Sequence, residues 1–72
     1  MINIRIEYGT RHISTEVPEG TTVNDVINNA NFKAILLYDR VSGFVNGISA
    51  PGSQMLEDGD VVKLQAAAQT KN

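Results

Sequence analysis

The chain has 72 residues with six basic and eight acidic side chains, a formal charge of −2, and no cysteine. Its length sets a single domain near the lower limit for one apolar core, and the lack of sulfur excludes disulfides, thiolate catalysis and cysteine-held zinc or iron–sulfur clusters. The near-balanced charge, with Arg5, Arg11, Lys33, Arg40, Lys63 and Lys71 scattered singly, argues against nucleic-acid binding, which depends on clustered cations that release counterions.

Met1 opens directly onto a strand pattern. Ile2, Ile4, Ile6 and Tyr8 alternate with Asn3, Arg5 and Glu7, the period-two signature of a strand with one buried face. Gly9-Thr10-Arg11 turns the chain, and Ile13, Thr15 and Val17 then alternate with His12, Ser14 and Glu16, so the two segments predict a hairpin. No apolar run approaches the roughly 20 residues of a membrane span, no basic-then-apolar leader opens the chain, and the expected compartment is the cytoplasm.

Pro18-Glu19-Gly20 stops the pairing. Thr21 or Thr22 is placed to cap a helix, and Thr22 with Asp25 has the spacing of a capping box. Val23, Val26, Ile27 and Ala30 form the apolar stripe of that helix, and Asn31 is placed to end it in the left-handed conformation. Residues 32–41, with the run Ile35-Leu36-Leu37, read as a further turn of helix or an irregular connection. A strand is expected near Ser42 to Asn46, and Asn46-Gly47 is a type I′ turn signal that returns Ile48 to Ala50 antiparallel to it. Met55 and Leu56 are expected to tuck a loop onto the core, Glu57 to Asp60 to turn around Gly59, and Val61 to Gln65 to form the last strand.

This order, with Val17-Pro18-Glu19-Gly20-Thr21-Thr22-Val23 entering the helix, Val45-Asn46-Gly47 in the hairpin and Leu56-Glu57-Asp58-Gly59-Asp60-Val61-Val62 entering the last strand, resembles the small sulfur-carrier proteins of molybdopterin and thiamine biosynthesis. Similar wording occurs in related domains of threonyl-tRNA synthetases and certain GTPases. The resemblance implies an α+β, ubiquitin-like β-grasp fold: a mixed sheet of four to five strands on one helix, with the first and last strands parallel at its centre. Residues 1–65 would form the domain and 66–72 a flexible tail. Those carriers end in a diglycine whose carboxylate is adenylated and converted to a thiocarboxylate. Here no glycine follows Gly59, and Gln65, Ala66, Ala67 and Ala68 occupy the positions beyond the last strand. Alanine restores the Cβ restrictions that glycine lacks, so none of the family's functional residues carries over.

The residues themselves offer no paired catalytic groups, no phosphate-binding loop and no ligand set for a cofactor or metal. His12 reads as a solvated strand residue, and Glu57, Asp58 and Asp60 read as tight-turn chemistry rather than a cation site. The sheet face away from the helix should present Asn3, Arg5, Glu7, His12, Ser14, Glu16 and Lys63, a polar surface of mixed sign rather than an apolar patch. Lys33, Tyr38, Asp39 and Arg40 form a second mixed patch in the connection after the helix, while Phe32, Leu36, Leu37 and Phe44 are assigned to the core. The candidate partner-binding residues are therefore Arg5, Glu7, His12, Lys33, Tyr38, Arg40 and Lys63. The expected function is that of a non-catalytic protein-interaction module, an adaptor or inhibitor. The alternatives are a sulfur carrier or modifier activated at its C-terminus, and an assembly component of a larger particle. A protein partner is expected and its identity is open. Self-association has a route through the edge at Ile48 to Ala50.

Overall fold

The alternation of the first segment is realised residue by residue. In the computed structural model, which describes residues 1–66, β1 (Ile2–Tyr8) buries Ile2, Ile4 and Ile6 and turns Asn3 and Arg5 to solvent. It pairs antiparallel with β2 (Arg11–Val17) in an unbroken register from Ile2 opposite Val17 to Tyr8 opposite Arg11. The remaining elements are α1 (Val23–Ile27), α2 (Ala30–Leu36), β3 (Val41–Val45), β4 (Ile48–Ser49) and β5 (Val61–Ala66). The sheet order is β2-β1-β5-β3-β4, with β1 and β5 parallel and every other neighbouring pair antiparallel. This is the α+β, ubiquitin-like β-grasp arrangement. The last strand includes Ala66, one residue beyond the expected domain limit, and the rest of the expected flexible tail lies outside the described residues.

The capping box is present in both directions: the Asp25 amide donates to Thr22 Oγ1 at 3.2 Å and the Thr22 amide donates to Asp25 Oδ2 at 3.0 Å. Together they satisfy two amides that the first helical turn would leave unpaired. The helix is not the single unit expected. It stops at Asn28, and Asn29 begins a second helix by accepting from the amides of Asn31 and Phe32 with its side chain. Asparagine offers the backbone a competing hydrogen bond, and here it splits one helix into two. Asn31 therefore lies in the first turn of α2 and Ala30 is exposed, while the left-handed residue is Leu37, at φ 62°.

That left-handed turn, costly for a residue with a Cβ, brings the next residue inward. Tyr38 is 5% exposed, its hydroxyl donates to the Val26 carbonyl at 2.9 Å, and its ring meets Tyr8 at 5.8 Å between centroids. Leu36 is buried, whereas Leu37, assigned to the core from its size, points to water. Leu56 reaches the core as expected, but Met55 beside it is 64% exposed. The core joins Ile2, Ile4, Ile6, Val17, Val23, Val26, Leu36, Tyr38, Val45, Leu56, Val62 and Leu64, with Phe32 packed against it.

At Gly43 the sheet passes close beneath α1. A Cβ there would stand 2.6 Å from Cγ1 of Val23, inside the range that packed atoms tolerate, so the side chain of Val23 occupies the space that glycine leaves. Gly43→Ala should destabilise the domain by about 1–3 kcal/mol, the usual cost of overpacking. Thermal unfolding checks this, since at this size each kcal/mol moves the midpoint by roughly 4–8 °C.

Tyr38 makes a second prediction. Burial raises its phenol above the ordinary tyrosine pKa, so the folded state holds that proton more tightly than the unfolded chain, whose phenol ionises near pH 10. The resulting stability is fully present below about pH 10 and is lost as pH climbs from there through the raised folded value. Tyr38→Phe should cost about 1 kcal/mol at neutral pH through the lost hydrogen bond. It should also flatten the alkaline decline, which urea titrations at about pH 8 and about pH 11 would measure.

Candidate functional site

Strand alternation delivers one set of side chains to the core and the other to the open face of the sheet. The register places them in rows. Glu7 on β1 lies between His12 on β2 and Lys63 on β5, and Lys63 in turn lies opposite Phe44 on β3, which faces Ser49 on β4. A second row runs from Ser14 through Arg5 to Val61, and Glu16 stands opposite Asn3. Four of the sequence-derived candidates, Arg5, Glu7, His12 and Lys63, are thus brought onto one surface.

The charges of this face are mutually arranged. Arg5 Nε donates to Glu7 Oε2 at 2.6 Å, and the register sets Lys63 opposite Glu7 on the neighbouring strand. Both groups of the ion pair are partly open to water, so the pair contributes little to stability; its effect is to hold Arg5 along the strand in a fixed direction. The face carries both signs, with Glu16 and His12 at the β2 edge and Arg5 and Lys63 nearer the centre.

Phe44 changes the expected character of this surface. Assigned to the core by its size, it stands instead on the open face, half-buried between Lys63 and Ser49, while its neighbours Gly43 and Val45 face the core. Half-buried Val61 is on the same side. The face is polar across β1 and β2, as expected, and carries an aromatic group at β3. The parity of Val41, Gly43 and Val45 holds the signal: with Val45 inward, Phe44 must point outward. Gly43, which has no side chain, hides that alternation in the sequence.

The other candidates are not brought to this surface. Lys33 is on α2, half-buried, and Arg40 is exposed in the connection to β3. Tyr38, grouped with them as a surface residue, is in the core and offers a partner almost no exposed area.

The acidic turn is used internally. Asp58 Oδ1 accepts from the Asn3 amide at 2.7 Å, Asp60 Oδ2 from the Glu57 amide at 2.8 Å and Asp60 Oδ1 from Asn46 Nδ2 at 3.0 Å. Among the described residues no group of three or more His, Asp or Glu is placed to hold a metal ion, and no helix is long and apolar enough to cross a membrane. A groove of about 440 Å³ lies by the β4 hairpin and the acidic turn, and its lining includes exposed Ile48 and Met55 together with Glu57 and Asp60.

A partner held on the open face would use Phe44 as its apolar anchor and Lys63 and Arg5 as its polar rim, the division that dominates protein interfaces. Phe44→Ala and Lys63→Glu should each weaken such binding at least about tenfold, and the Lys63 effect should shrink at high salt. Isothermal titration of a bound partner at two ionic strengths measures both, with unfolding midpoints to verify that the variants remain folded.

Comparison with known proteins agrees with the architecture. No protein-family model matches the chain, and no curated protein sequence matches it. Among solved structures, the chain is similar to a Pyrococcus furiosus protein assigned as molybdopterin converting factor, subunit 1, with 25% identity, a TM-score of 0.73, and coverage of 94% of this chain and 100% of that one. It is also similar to small archaeal modifier protein 1 of H. volcanii, with 15% identity and the same TM-score and coverage. The chain therefore resembles the ubiquitin-like β-grasp proteins of the sulfur-carrier and modifier kind.

Proposed function

We propose that this protein is a small β-grasp domain of the carrier or modifier type, non-catalytic in itself and handled by partner proteins that grip the open face of its sheet. The observation that carries this reading is the end-to-end likeness to molybdopterin converting factor, subunit 1, which the chain matches over that protein's full length with a TM-score of 0.73. The likeness to small archaeal modifier protein 1 supports the fold on which the reading stands. Parallel pairing with β1 puts β5 at the centre of the sheet, so the strand that carries Lys63 between Glu7 and Phe44 also carries the chain three residues further to Ala66, opposite Val41. A partner on that row would lie about 10 Å, three strand residues, from Ala66. The cytosol is the compartment this reading assigns.

One observation favours a second reading. The stretch from Asp60 to Asn72 has no glycine, and the Cβ atoms of Ala66, Ala67 and Ala68 forbid backbone angles that a diglycine would allow in a narrow catalytic channel. A domain that binds such partners without being activated by them would be an adaptor or inhibitor.

Incubation with ATP and an adenylating enzyme of the carrier-activating class separates the two. The carrier reading expects ATP-dependent release of pyrophosphate and a C-terminal adenylate by mass spectrometry, with AMP released and a thiocarboxylate formed only once a sulfide-level sulfur donor is added. Tight binding of the unmodified chain, with inhibition of the enzyme's action on a diglycine carrier, would replace it with the inhibitor reading. Neither binding nor modification would remove the carrier reading.

A further inference from the structure

The sheet has two edges, and they differ. β4 is two residues long and leads into Pro51, so it offers little backbone for pairing. β2, at the other edge, has seven residues in unbroken register with β1, without a proline or a bulge. The hydrogen bonds of β1 settle which β2 groups are free. Asn3 and Arg5 direct their backbone toward the β5 side: the Arg5 amide donates to the Asp60 carbonyl at 3.0 Å, the Gly59 amide donates to the Asn3 carbonyl at 2.7 Å, and the Asn3 amide donates to Asp58. Ile2, Ile4, Ile6 and Tyr8 therefore face β2, and their partners Val17, Thr15, Ile13 and Arg11 are the inward residues of that strand. By alternation, the amides and carbonyls of His12, Ser14 and Glu16 point away from the sheet.

We propose that this edge pairs antiparallel with the β2 edge of a second copy, in a two-fold arrangement centred on Ser14. In that register His12 lies opposite the second copy's Glu16, Ser14 opposite the second copy's Ser14, and Glu16 opposite the second copy's His12. Every outward amide and carbonyl meets another in a closely spaced pair. The side chains agree with the backbone. Imidazole faces carboxylate at both ends, serine faces serine at the centre, and no like charges are opposed. On the helix side Ile13 meets Thr15 and Arg11 meets Val17.

Competing registers are poorer. A one-residue slip sets outward amides against inward ones. A two-residue slip places Glu16 against Thr10 in the turn or His12 against Pro18, which has no amide to donate. The isologous pairing is thus the one in which all seven residues of β2 take part. A strand pair alone buries less than the roughly 1,200 Å² of a stable interface, so the dimer is weak and forms with rising concentration, through an open edge of the kind that sheets otherwise guard.

The chain's lack of cysteine permits a clean test on the full protein. Directly opposed Cα atoms in a hydrogen-bonded antiparallel pair lie about 5.5 Å apart, within the roughly 4.4–6.8 Å that a disulfide spans. Under mild oxidation Ser14→Cys should crosslink to a dimer. His12→Cys and Glu16→Cys should each stay monomeric when alone and crosslink when mixed. Sedimentation of the unmodified chain from micromolar to millimolar concentration should show the mass rising from 7.8 kDa toward twice that value. Ser14→Pro, which removes an outward amide but no ladder bond of the monomer, should abolish the rise while leaving the circular dichroism spectrum unchanged. A mass that stays at the monomer value throughout, crosslinking equal at the three positions, or a dimer that survives Ser14→Pro would each overturn the proposal.

Discussion

The parallel pairing of β1 with β5 is the contact on which the rest of the fold depends. It joins the first and last strands of the described chain, and Ile6 and Val62, direct partners in its register, are both fully buried. Parallel strands cannot be joined by a tight turn, so everything between them acts as one long crossover that must close before the pairing forms. The acidic turn fixes that closure. Asp58 takes the Asn3 amide, Gly59 donates to the Asn3 carbonyl and Asp60 accepts from the Arg5 amide through its own carbonyl, so residues more than fifty positions apart are clamped at the point where β5 begins. Loop-closure entropy makes such pairing slow and costly, and three clamping bonds beside a buried Ile6–Val62 pair are what offset it. The turn carboxylates that could suggest an ion site are thereby employed in holding the sheet together.

The same central pair decides what the surface can do. Since β1 and β5 bury Ile4, Ile6, Val62 and Leu64 on one side, alternation leaves no freedom for Arg5, Glu7 and Lys63 except the other. The open face is therefore a by-product of core formation, and its chemistry can vary without touching the core. Phe44 is the one large apolar group placed there by β3, beside Lys63. An aromatic flanked by a cation, with an Arg5–Glu7 pair aligned along the adjacent strand, is a small directional surface rather than a broad greasy one. Its selectivity would come from charge placement and its affinity from the ring.

Much of this was legible in the sequence because it rests on two signals that do not depend on tertiary context. Period-two alternation placed β1 and β2 and the polar face they share, and turn chemistry placed Asn46-Gly47 and the Thr22–Asp25 box. The misreadings have two causes: asparagine side chains that compete locally with the helix for its amides, and packing that overrules a residue's size or intrinsic preference. Asn28 and Asn29 divide a helix that an apolar stripe suggested was continuous. Leu37 adopts a left-handed conformation that Asn31 was better suited to, because the chain must turn there for Tyr38 to reach the Val26 carbonyl. Phe44 was assigned inward by its size, yet parity with Val45 overrides size, and Gly43 is inward because α1 needs the room that a side chain would take. For the candidate site the face itself could be read and its aromatic member could not, and Tyr38 shows that a polar tip on a large ring is no guide to exposure.

The two faces of possible contact sit at opposite sides of the sheet, and this constrains how they could be used together. Phe44 lies on β3, three strand spacings from β2 and so about 14 Å away across the sheet, whereas the outward groups of β2 lie in the plane of the sheet beyond its edge. A second copy paired along β2 would extend the sheet sideways without covering Phe44 or Lys63, and the two-fold axis would turn both open faces to the same side. Two weak sites on one continuous surface can then be engaged by a partner that is itself two-fold, where effective concentration rather than any new contact raises the affinity. A single domain of this size has little surface with which to hold a partner tightly. Doubling it through an unpaired strand is a way for a small fold to gain avidity without enlarging its core.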